Sequence, residues 1–138
     1  MNTQKVNLLN SIIIYILLPL FLGTSVYLFL RVDQTFGENL IKWNYQPTLS
    51  ILNYSWFIIL VGSLPDFLWL FALLNLFCFI WEGVEKIPTF FKILLYTLPI
   101  LSEVFQYFNI IQGTGDYFDI LAYLLAIYIF SITNKQKQ

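Results

Sequence analysis

Residues 11–30, SIIIYILLPLFLGTSVYLFL, run without a single charged side chain. As a helix they would measure about 30 Å, the thickness of a bilayer's hydrocarbon core. Further long apolar stretches cover residues 48–81, 90–108 and 116–132. Only 11% of the 138 residues are charged, against roughly a quarter in soluble domains. With 59% hydrophobic residues and a mean hydropathy of +0.73, a 16.3 kDa soluble fold could not cover its own surface. The chain therefore reads as an integral membrane protein of one domain.

Residues 11–30 are long for a signal peptide and show no small-residue cleavage site, so they are expected to stay as a first spanning helix. Pro19 and Gly23 inside it predict a mild kink. Residues 31–47 form a polar connector. Arg31 sits at the membrane edge, and Trp43 and Tyr45 are expected as interfacial anchors. One helix over residues 48–81 would measure about 51 Å. The interruption Ser63-Leu64-Pro65-Asp66 predicts a split instead, with Asp66 capping the new helix. Residues 48–62 become a short interfacial or re-entrant helix and residues 66–81 the second span. A single tilted helix kinked at Pro65 is the alternative. Residues 90–108 and 116–132 complete an all-α bundle of four transmembrane helices plus the short one.

Counting lysine and arginine in the flanks sets the orientation. With the N-terminus inside, Lys5, Lys86, Lys92, Lys135 and Lys137 are cytoplasmic, and Arg31 and Lys42 are outside. That predicts both termini in the cytoplasm. It also gathers the polar residues of the apolar segments at the outer end: Arg31, Asp66, Glu103 with Gln106, and Asp116 with Asp119.

Residues 102–126, SEVFQYFNIIQGTGDYFDILAYLLA, carry most of that cluster. A carboxylate at mid-membrane costs about 2.5–3.5 kcal/mol on insertion scales, so such groups face a bundle interior or a wet cavity. Glu103 and Gln106 share one helical face. Asp116, Asp119, Tyr123 and Ala126 step by three, four and three along another. Tyr123, with Trp69, is the aromatic expected to line a pocket. Plainer roles compete with binding. Asp116 and Asp66 can cap helices, and Asp119 suits the positive end of a helix dipole. Glu103 can pair with Arg31, and Gln106 can bridge helices. Crowded carboxylates would be relieved by Arg31, a shared proton or a divalent cation.

Other chemistry is narrowed by what the chain lacks. With no histidine, the usual general base and commonest metal ligand are missing. The single cysteine, Cys78, permits no intrachain disulfide and no thiolate zinc site. Neither a nucleophile-plus-base pattern nor a phosphate-cradling glycine loop is present, so catalysis is not the expected activity. Scattered basic residues at a net charge of −1 do not suggest nucleic acid.

The pattern Glu103-x-x-Gln106, a glycine-containing turn, then Asp119 with Ala122-Tyr123 and Ala126 resembles the VanZ-like family of small bacterial membrane proteins. In that family an arginine-bearing turn follows Glu-x-x-Gln, and the last helix opens on Asp-(x)3-Asn-(x)2-Gly. Glu103, Gln106 and Asp119 match. Gln112 and Gly113 stand where the arginine is expected, Tyr123 replaces the asparagine and Ala126 the glycine. Asp66 resembles an aspartate near an earlier helix start, with Leu68 and Trp69 where a histidine would be. The resemblance implies a cell-envelope protein of the bacterial inner membrane, with an outward polar cluster suited to a lipid headgroup or carrier phosphate; the carboxylates themselves suit a polar lipid headgroup or a cation. The expected partners are membrane lipids. The competing expectation is a small subunit of an envelope complex or a homo-oligomer.

Overall fold

The computed structural model describes residues 3–30, 55–113 and 115–135. Arg31, the polar connector and residues 48–54 of the expected short helix lie outside that set. The described residues are helical, with no strand.

Helix α1 covers residues 3–30. It is α-helical over Thr3–Ile12 and Leu18–Leu30, with one π-helical turn over Ile13–Leu17 between them. Pro19 supplies the cause. In a regular α-helix its ring would press on the carbonyl of Tyr15, four residues back. The wider turn, closed by the Leu18 amide donating to the Ile13 carbonyl, makes room for it.

Helix α2 is Ser55–Ile80, 26 residues that pass through Pro65 without a break. This corrects the expected division at residues 63–66. Pro65 is almost wholly enclosed, on a helix packed between α1 and Tyr117–Lys135. Packing on both sides holds the helix together across the one lost hydrogen bond. Asp66 consequently stands inside α2 and caps nothing. At about 39 Å the helix exceeds a hydrocarbon core, so it can span with tilt.

Val84–Lys86 forms a short 3-10 turn, followed by α3 (Thr89–Tyr107) and α4 (Tyr117–Lys135). Both α2 and α3 end in the same motif. Gly83 and Glu82 donate back to Cys78 and Phe79, while Ile110 and Asn109 donate back to Phe105 and Gln106. Each motif needs one left-handed residue, supplied by Glu82 and Asn109, both at φ 55°. Asparagine tolerates that conformation and glutamate does not. Glu82→Gly is therefore expected to stabilise the protein by about 1 kcal/mol, read from SDS-titration unfolding in mixed micelles.

α2 is the centre of the bundle, with α1 on one side and α4 on the other, and α3 leans mainly on α4. Leu70, Phe71 and Leu74 of α2 meet Leu95 of α3 and Ala126 and Phe130 of α4 in the core. Gly23 of α1 allows a close approach. A Cβ there would lie 2.8 Å from Trp69 Nε1, and the Trp69 ring packs on Tyr27 at 5.5 Å. Trp69 thus joins α2 to α1.

Three helical segments, Leu8–Leu28, Trp56–Ile80 and Tyr117–Asn134, are long and apolar enough to cross a membrane. No more than 33% of any of these segments is buried within the protein. Their outward side chains are large and apolar, among them Phe21, Ile58, Leu121 and Tyr128. Contiguous apolar surface on this scale suits lipid better than water. α3 has the length to span but falls outside this group, so of four expected spans three are found.

Candidate polar site at one end of the bundle

The site begins where α3 ends. Gly113, at φ 139°, lies so close to the Gln106 carboxamide that a Cβ there would come within 2.5 Å of Gln106 Cδ. Gly115 lies against the Tyr107 amide and the Glu103 carbonyl, which are backbone atoms of the last turns of α3. Two glycines thus let the turn fold back over the helix end. Asp116 then caps α4. Its Oδ1 accepts the Phe118 amide at 2.9 Å, and its own amide donates to Glu103 Oε2 at 3.3 Å.

That fold-back brings the carboxylates together. Glu103 on α3 is 6% exposed and Asp119 on α4 is 8% exposed. Asp66, from the middle of α2, accepts the Tyr123 hydroxyl at 2.9 Å. Asp119, Asp66 and Asp116 all lie near enough for their charges to act on Glu103. The buried Ala122 and Ala126 continue the inner face of α4 below them.

Of the seven residues expected at this end, the structure brings together Asp66, Glu103, Asp116, Asp119 and Tyr123. Asp116 is exposed and acts as a helix cap. Gln106 covers the glycine turn and makes no hydrogen bond to a described side chain. Arg31 belongs to the undescribed segment. Neither Glu103 nor Asp119 meets a lysine or arginine among the described residues. Among those residues, no three side chains of the metal-ligating types converge as a metal centre.

Such an arrangement can accept hydrogen bonds and balance positive charge. Its acceptors are largely shielded from water, where an ammonium group gains more than it would in bulk solvent.

At the opposite end, between α1, α2 and the turn that follows α2, lies a cleft of about 650 Å³. Sequence reading did not anticipate it. Cys78 is half-buried on its wall, and its thiol donates to Asn134 Oδ1 at 3.6 Å, tying α2 to α4.

Comparison with protein-family models, with curated proteins and with solved structures finds no match for this chain.

Proposed function

We propose that this chain is a multi-pass membrane protein of the bacterial cell envelope, similar to the VanZ-like family, that binds an ammonium cation or the positively charged part of a lipid headgroup. The binding groups are Glu103, Asp119 and Asp66, with Tyr123 orienting Asp66. In this reading α3 is the fourth span, both termini are cytoplasmic and the carboxylate end faces outward.

One observation carries the proposal. Two carboxylates are buried side by side on adjoining helices, with no described cation against either. Buried charge that is not offset is costly, so it is kept where it has work to do. The resemblance at Glu103, Gln106 and Asp119 supports the same end of the molecule. Asp66 adds a reason from α2, since a tyrosine–aspartate hydrogen bond fixes its carboxylate toward α4.

Native mass spectrometry of the protein released gently from its own membrane tests this. A retained lipid or cation should be present, and Glu103→Ala or Asp119→Ala should lose it. A stoichiometric protein partner with no retained lipid would instead make the chain a subunit of a complex and the carboxylates interface groups.

A further inference from the structure

The cleft at the other end of the bundle is the second place where buried polarity and open space coincide. Asn75 of α2 is 8% exposed and lines it. Its amide donates to the Phe71 carbonyl at 2.8 Å, but its Oδ1 accepts nothing. No fully enclosed side-chain nitrogen or oxygen among the described residues lacks a partner. The Asn75 oxygen is therefore not sealed in protein, and Asn75 is one of the residues that line this cleft. An acceptor left open in a largely buried side chain is available to a donor from a ligand.

The surroundings narrow the ligand. Ile12 and Ile16 of α1 and Phe79 of α2 give apolar walls. Asn75 lies five residues before the end of α2, so roughly 7–8 Å below the turn by helix rise. The turn itself carries the Lys86–Glu82 ion pair, 3.2 Å apart and exposed, so weakly held that a zwitterion can exchange with it. The volume of about 650 Å³ falls within the rough 300–1,000 Å³ range that encloses one drug-sized ligand. It suits one acyl chain and a glycerol better than a two-chain lipid.

We infer that this cleft binds a single-chain zwitterionic lysophospholipid. Its chain leaves past Ile16, at the depth of Asn75, while Ile12 and Phe79 flank the glycerol and phosphate nearer the turn. The free glycerol hydroxyl donates to Asn75 Oδ1. The phosphate meets Lys86 and the quaternary or primary amine meets Glu82. This site is separate from the Glu103 end and does not depend on it.

Two probes separate the hydroxyl from the rest of the ligand. Palmitoyl lysophosphatidylcholine carries it, and hexadecylphosphocholine has the same head charge and a single chain but no glycerol. Added to the full chain in maltoside micelles and followed by native mass spectrometry, the lysolipid should bind about threefold to tenfold more tightly. Asn75→Leu should erase that preference, and Ile12→Trp, which fills the cleft from α1, should weaken both probes. Glu103→Gln should leave that preference intact, whatever it does to the total lipid bound at the other end. Equal binding of the two probes to the wild type would overturn the inference. So would a preference that survives Asn75→Leu or disappears in Glu103→Gln. If Asn75→Leu does not fold, Ile12→Trp alone decides, because undiminished binding there places the lipid elsewhere.

Discussion

Gly115→Ala is expected to destabilise the protein by about 3 kcal/mol, the upper end of the overpacking range, in SDS-titration unfolding. The new Cβ would overlap the Tyr107 amide and sit 2.7 Å from the Glu103 carbonyl. Both are main-chain atoms inside α3, so neither can swing aside as a side-chain end would. The turn must lift away from the helix end instead. That movement separates the Asp116 amide from Glu103 Oε2 and shifts the cap of α4, so the site should be lost together with the stability. Gly62→Ala is the control. Nothing lies within 4 Å of its Cβ, and it stands inside α2, where alanine is the better helix former by roughly 0.5–1 kcal/mol. A glycine that tolerates substitution beside one that does not would show that close approach, and not general glycine flexibility, builds this end of the bundle.

Much of that end can be read from the sequence for a simple reason. Residues three and four apart on a helix share a face, so spacing alone ties Asp119 to Tyr123. A short turn between two apolar runs then forces the ends of α3 and α4 to be neighbours, which brings Glu103 to them. Asp66 is harder, because its partner lies 57 residues away. What sequence misjudges is where tertiary packing overrides a local signal. Pro65 reads as a helix break, yet α1 and α4 hold α2 straight through it. Pro19 reads as a kink, and the chain answers with a π turn. Trp69 packs into a slot that Gly23 opens on α1, a contact that depends on helix rotation and that spacing does not show. Asn75 carries no signal at all in sequence. A lone asparagine in an apolar run looks the same whether its oxygen is enclosed or faces a cleft.

Removing charge at Glu103 and Asp119 should raise stability while abolishing binding. The expected gain for Glu103→Gln or Asp119→Asn is about 1–3 kcal/mol, measured by SDS-titration unfolding of the unliganded protein. Both side chains are more than nine-tenths buried, and Asp66 and Asp116 add like charge around Glu103. An amide of the same shape keeps the packing and, at Glu103, the acceptor for the Asp116 amide, so little is lost in exchange. The purely structural alternative, in which Arg31 pairs with Glu103, predicts the opposite sign. Neutralising one partner of a buried ion pair leaves the other uncompensated and costs about 3–5 kcal/mol. The direction of the change therefore separates the two readings whatever the ligand is. A more stable protein that no longer retains its cation or lipid would mean that the carboxylates are kept for binding, at the expense of the fold. A less stable one would make them a clamp between helices, and the binding proposal would fall with it.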